Sequence, residues 1–225
     1  MPTKDLEMNL QKLREAFRLS IRDTNKPYLV SDVEADEFAN DAHVEACRRA
    51  RLLVDSTSSL AVVSVSMGDP LVPLDPRIIS IRRARLSNRS VPLVKKTVRE
   101  MDEKCPGWEN SQWESTPSIL VIDYDSTNAY LYPNPVESVD LVMTVVREPL
   151  NEMTHDEDEP EIPPRYHGSL VYWMKKRAYE IPDSDLFDAN AAQKAEAEFI
   201  KEFGSESSAV NERWEFERYN DVGER

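Results

Sequence analysis

The sequence predicts an α+β protein: a four-helix bundle assembled from both ends of the chain, an antiparallel β lobe inserted between its halves, and an extended C-terminal tail. Three observations carry that reading. Apolar residues recur at helical spacing up to about Asp55 and again from Pro160 to Gly204, the middle of the chain alternates at strand period, and no apolar stripe continues past Ser205. The expected divisions are 1–55 for the first helices, 56–150 for the β-rich lobe, 151–204 for an acidic linker and the last helices, and 205–225 for the tail.

Leu6, Leu10, Leu13, Phe17 and Ile21 mark the first helix, which the turn-forming run Asp23-Thr24-Asn25-Lys26-Pro27 stops. Ser31 or Asp32 caps the second, and Glu34 completes a capping box if Ser31 is the cap. Phe38, Ala42, Ala46, Ala50 and Leu53 continue this helix to about Asp55, with Arg48, Arg49 and Arg51 near its carbonyl end, where cations suit the helix dipole. After Ser56-Thr57-Ser58-Ser59 the period shortens. Leu60–Val65 and Leu71–Leu74 read as a hairpin around Met67-Gly68-Asp69-Pro70. Arg77–Leu86 reads as a strand with neither face cleanly apolar, hence at most partly buried.

Thr97 caps a short helix to Lys104, closed by Cys105-Pro106-Gly107, with Trp108 and Trp113 in the loop beyond. Pro117–Asp123, Asn128–Tyr132 and Val139–Val146 supply further strands, the last with Leu141, Met143 and Val145 on one face. Arg147–Glu161, rich in proline and acids, reads as a linker or solvated loop. Two helices close the pattern. Leu170, Trp173, Met174, Arg177 and Ala178 line the first, and Phe187, Ala191, Ala195, Phe199 and Phe203 line the second, with Pro182 ending one and Ser184 or Asp185 capping the other. Neither helix is stable alone, because each has a single apolar face to bury.

Composition narrows the function. The 225 residues carry 28 basic and 42 acidic side chains, a net charge of −14, which repels phosphate backbones on average and lacks the footprint of a nucleic-acid binder. The 40% hydrophobic content suffices for a core. Cys47 and Cys105 give neither a disulfide framework nor metal-ligand spacing. With no signal-peptide pattern and no membrane-length apolar run, the chain reads as soluble and intracellular when made.

A catalytic reading starts from His155, Asp156 and Asp158, where an imidazole beside carboxylates has the chemistry of a metal-dependent hydrolase. A solvated acidic loop explains the same residues, since His43 and His167 lie elsewhere and no metal-site spacing occurs. No phosphate loop or nucleophile elbow is present, and five glycines in the whole chain offer few tight turns for a ligand, so no enzyme activity and no cofactor are expected. Arg77, Arg82, Arg83, Arg85 and Arg89, followed by Lys95 and Lys96, form the one basic concentration. They either guard an exposed strand edge or meet an acidic surface on a neighbouring subunit, with contact to DNA a weaker third reading, because a DNA-binding regulator needs a basic helix. Trp214, Phe216 and Tyr219 stand in a charged tail with no stripe of its own, which suits a segment that docks on a partner.

Several short motifs resemble the head-to-tail adaptor (connector, or head completion) proteins of tailed bacteriophages, especially the podovirus tail tubular protein A-like group. They are Pro27-Tyr28-Leu29-Val30-Ser31-Asp32, Ala46–Asp55, Leu74-Asp75-Pro76-Arg77-Ile78, Tyr132-Pro133-Asn134-Pro135, Glu161-Ile162-Pro163-Pro164-Arg165-Tyr166-His167 and Phe199–Gly204. The resemblance covers most of the chain up to Gly204. It implies a helical bundle with an inserted β lobe, assembled as a ring, usually a dodecamer, beneath the portal protein and extending the DNA channel toward a tail nozzle or tail tube protein. It further implies a virion protein assembled in the host cytoplasm, whose tail with Trp214, Phe216 and Tyr219 reaches the portal and whose Arg77, Arg82, Arg83 and Arg85 meet the next subunit. Acidic walls would let double-stranded DNA slide past during genome ejection. A tail terminator or tail tube protein is the alternative, disfavoured because such proteins are expected to be dominated by strands.

Overall fold

The computed structural model describes residues 8–182 and 184–205. Of these, residues up to 53 and from 148 onward form one compact unit, and residues 54 to 147 form the other. The architecture is mixed α+β, with five α-helices among the described residues and a β-rich unit. In chain order the helices are α1 (Leu10–Ile21), α2 (Asp32–Ala50), α3 (Val98–Lys104), α4 (Leu170–Tyr179) and α5 (Ala189–Phe203). The strands are β1 (Leu53–Asp55), β2 (Val62–Val65), β3 (Leu71–Pro73), β4 (Ile78–Leu86), β5 (Val94–Lys96), β6 (Glu114–Ser115), β7 (Ile119–Val121), β8 (Asn128–Tyr132), β9 (Asn134–Pro135) and β10 (Val139–Arg147).

In the helical unit, α1 buries Leu10, Leu13, Phe17 and Ile21 along one stripe, while Leu6, expected on the same stripe, lies outside the described residues. The Asn9 side chain accepts from the Lys12 amide, and Arg22 ends the helix in the left-handed region. Of the two caps the sequence allowed for α2, Ser31 is the one used, and the capping box forms: the Ser31 hydroxyl accepts from the Glu34 amide, and the Glu34 carboxylate accepts from the Ser31 amide. The helix stops at Ala50 rather than near Asp55. Arg51 turns left-handed with its N–H on the Cys47 carbonyl, and Leu53–Asp55 extends instead as a strand against β10.

Helix α5 also starts later than expected. Asp188, not Ser184 or Asp185, accepts from the amides of Asn190 and Ala191, whereas Ser184 closes the preceding turn by accepting from the Leu186 amide. Phe187 therefore precedes the helix and is 58% exposed, and Ala192, Ala195, Phe199 and Phe203 form the buried face.

Four helices share one core. Helix α4 packs on α5 and α2, and α1 packs on α2 and α4. Ala35, Ala39, Ala42 and Ala46 are fully buried on α2, so its backbone comes close to its neighbours, and the space left is filled by rings. Phe17 meets Phe38 edge-on at 6.3 Å, and Phe199 lies 5.0 Å from Trp173. The buried side chain of Arg49 joins this layer, paired with Glu45 at 2.7 Å and set over the Trp173 ring at 4.9 Å.

The stretch expected as a linker or solvated loop is folded into this unit. Carbonyls of Asp158 and Asp156 accept from the amides of Leu10 and Gln11, which satisfies two of the orphan donors at the start of α1. Asn40 holds the backbone of Met153 from both sides, accepting from its N–H at 2.8 Å and donating to its carbonyl at 3.0 Å, and the Met153 side chain is buried.

In the β unit, β10 is the shared strand of a four-stranded sheet and pairs with β1, β2 and β4. Its Leu141, Met143 and Val145 are buried. A second sheet runs in the order β3-β8-β7-β5. The expected hairpin does not close. The turn at Gly68 forms with φ 76°, but β2 pairs with β10 and β3 with β8, so the two strands enter different sheets. Nor is the unit wholly antiparallel. The Thr97-capped α3 carries the chain over so that β5 pairs parallel to β7, and β6 runs parallel to β9. Trp108 anchors the core beside α3, buried against Tyr130 at 5.0 Å with its indole N–H on Asp102.

Candidate functional site

Among the described residues, the carboxylates beside His155 are engaged in holding the chain. The Asp158 carboxylate accepts from the amides of His155 and Thr154, both at 2.8 Å, and these bonds hold it below the usual carboxylate range. Asp156 pairs with Arg14 at 3.1 Å, which also binds Asp36. His155 lies against Thr154 and Asp158 with its side chain 80% exposed. Asp158 thus closes the loop by accepting from the amides three and four residues before it, and Asp156 is held by Arg14.

The other two histidines are buried and serve the backbone. His43 Nε2 accepts from the Glu161 amide at 3.1 Å, and His167 Nδ1 accepts from the Met8 amide at 3.1 Å with Nε2 2.9 Å from the Ile162 carbonyl. Among the described residues no three or more His, Cys, Asp or Glu side chains are grouped to hold a metal ion, and no helix is long and apolar enough to cross a membrane.

The basic concentration has a different geometry. Register along β10 runs from Leu86 opposite Leu141 to Arg83 opposite Thr144, then jumps to Ile81 opposite Val145, leaving Arg82 as an extra residue in the strand. That bulge explains why the sequence showed no clean apolar face. Ile81, Ala84 and Leu86 are all buried although their spacing breaks alternation, and Arg82 and Arg83 both become exposed. Neither of these two arginines has a hydrogen-bond or ion-pair partner among the described residues.

Cross-strand partners share a face, so Arg83 and Arg85 stand beside Thr144 and Val142, and Val142 in turn beside Val62. Val62 is 39% exposed. Val62 and Val142 thus lie on a sheet face between the exposed pair Ser64 and Asp140 and the half-buried Thr144, with Arg83 and Arg85 along one side. Arg85 reaches the carbonyls of Leu86 and Arg89 at 3.4 Å. Arg77 is not free in the same way: it is bound to Asp75 through Nε and Nη2, holding the Asp75 carboxyl down at about 2. Lys95 is also engaged, donating to the Ile81 carbonyl, and burial lowers its pKa.

Of the residues singled out in the sequence, the structure thus brings Arg82, Arg83 and Arg85 together and leaves Arg77 tied to the turn before the strand. Trp214, Phe216 and Tyr219 lie outside the described residues. Sequence reasoning gave no role to Trp113, which is 57% exposed beside Tyr132, with ring centroids 5.8 Å apart. Its only signal was a large aromatic in a loop with no periodic neighbour.

No curated protein matches the chain. Residues 8–221, nearly its whole length, match the SU10 adaptor protein family. That match settles the assignment: the chain belongs to the SU10 adaptor protein family, a family of phage virion adaptors.

Proposed function

We propose that the chain is a head-to-tail adaptor of the podovirus tail tubular A-like kind, a non-catalytic virion protein that joins the portal to the tail. The observation that carries this reading is the family match over residues 8–221. Four helices with one core supply the bundle, residues 56–150 the inserted lobe, and residues 205–225 the segment that docks on the portal. Twelve copies close into a ring that continues the DNA channel toward the tail nozzle or tail tube, and the ring is built in the host cytoplasm before it becomes part of the virion. A closed ring needs two unlike faces on each subunit. Arg82, Arg83 and Arg85, with Arg77 at the start of their strand, are one such face in a chain of net charge −14. That net charge also suits a channel through which DNA passes without sticking.

The portal contact is tested in the full-length chain. Replacing Trp214, Phe216 and Tyr219 together by alanine is expected to abolish capture of purified portal while leaving the melting temperature unchanged. Undiminished capture defeats the docking role of the tail.

A further inference from the structure

We propose that the end of the β unit bearing Met67, Trp113 and Val136 is the second ring face and receives the Arg82–Arg83 bulge of a neighbouring copy of this chain. The proposal rests on the ring reading above and names the surfaces that would meet.

Two backbone–backbone hydrogen bonds and one to a side chain draw the patch together. The Gly68 amide donates to the Pro135 carbonyl at 2.7 Å, the Met67 amide to Ser138 Oγ at 3.1 Å, and the Asn134 amide to the Trp113 carbonyl at 3.1 Å. Short β6 beside β9 fixes the last of these. The segment from 133 to 138 thereby gathers three exposed apolar side chains, Met67 at 63%, Trp113 at 57% and Val136 at 38%. A tryptophan left this open on the Tyr132 ring, with an exposed methionine tied to the same segment, has the composition of an interface centre rather than of an average surface.

Charge selects the occupant. Asp69, Glu114 and Glu137 border the patch, are all exposed, and form no ion pair among the described residues. Arg82 and Arg83 are the opposite case within the same unit, cations without counter-ions among the described residues, Arg83 opposite Thr144 and Arg82 the extra residue of the bulge beside it. The two surfaces cannot satisfy each other within one copy. Along β10 the patch lies near Val139 and Ser138, whereas Arg83 stands opposite Thr144, about 17 Å further along at roughly 3.4 Å per residue. An apolar centre with an acidic rim on one copy therefore complements the exposed basic bulge on the next, which is the head-to-tail pairing that a ring requires.

The test is charge exchange in the full-length protein, with assembly read by light scattering alone and on purified portal. Trp113→Ser is expected to weaken self-association about tenfold or more. Arg82→Glu with Arg83→Glu, and separately Glu114→Lys with Glu137→Lys, are expected to block assembly while the melting temperature holds, and all four changes in one chain are expected to restore it. If wild-type rings form and Trp113→Ser forms them equally well, or if the two reversals block assembly but their combination does not restore it, the pairing is wrong while the ring reading stands. If the wild-type chain never self-associates, even on the portal, the ring reading itself fails and the pairing with it.

Discussion

Replacing Arg147 by methionine removes one half of a buried ion pair in the β unit. Arg147 Nε lies 2.7 Å from Asp55 Oδ2, and the two side chains are only 10% and 8% exposed. Breaking a buried pair by deleting one partner costs about 3–5 kcal/mol, because the remaining charge stays desolvated. Asp55 keeps the amides of Thr57 and Ser58 on its other oxygen, at 2.9 and 3.1 Å, so the lower end applies and the expected loss is about 3 kcal/mol at pH 7.

The pH dependence has a definite sign. Burial pushes the Asp55 carboxyl up, but the hydrogen bonds from the Thr57 amide, Arg147 and the Ser58 amide outweigh it and hold the group well below the usual range. A carboxyl depressed in the fold contributes stability that is fully present above its unfolded pKa of about 3.9 and is lost as pH falls through the folded value. Urea unfolding followed by tryptophan fluorescence, with Trp108 reporting from the same unit, measures the gap between wild type and variant. That gap is expected to be widest near neutrality and to narrow below about pH 4. Adding Asp55→Asn to the variant is expected to cost much less than the two single losses summed. A loss under about 1 kcal/mol at pH 7, or one of equal size at pH 3, refutes the reasoning that the pair is desolvated and charge-coupled.

Phe199→Ala empties a fully buried site between Trp173 and Phe203 and is expected to destabilise the helical unit by about 3–5 kcal/mol, read as a lowered urea midpoint. Thr97→Ala removes the hydroxyl that accepts from the Glu100 amide and is expected to cost about 1 kcal/mol, with Thr97→Ser restoring most of it. His155→Ala is expected to leave the melting temperature within about 1 °C with or without EDTA or added zinc, since its side chain is exposed and Asp158 is held by amides. A metal-dependent rise in melting temperature that His155→Ala abolishes would revive the hydrolase reading.

Local chemistry was legible wherever a few neighbouring residues decide the outcome. The Ser31 capping box, the Thr97 cap, the α1 stripe and the buried face of β10 all follow from spacing alone. What the sequence hid depends on partners far along the chain. Leu53 fits the helical period of α2, but a strand place beside β10 and a left-handed Arg51 take it out of the helix. The Met67–Pro70 turn is real, yet its flanking strands answer to β10 and β8 and never to each other. The acidic stretch before Glu161 has the composition of a solvated loop, but it satisfies the start of α1 and buries Met153.

The candidate face shows the same division. Clustered arginines in an acidic chain were visible at once. The bulge that turns Arg82 and Arg83 outward together was not, because a strand's parity is reset by its partner's register. The left-handed cap, the bulge and the Trp113 patch have no periodic signature to read.

The central claim, that this adaptor closes into a ring on the portal, is tested most directly by imaging the purified protein mixed with portal by electron microscopy, alongside its mass by light scattering. A closed ring of about twelve subunits seated on the portal is expected, with the β unit of each copy against the β unit of the next. A chain that stays monomeric beside the portal at every salt concentration, or that binds it as single scattered copies, is not a ring-forming adaptor.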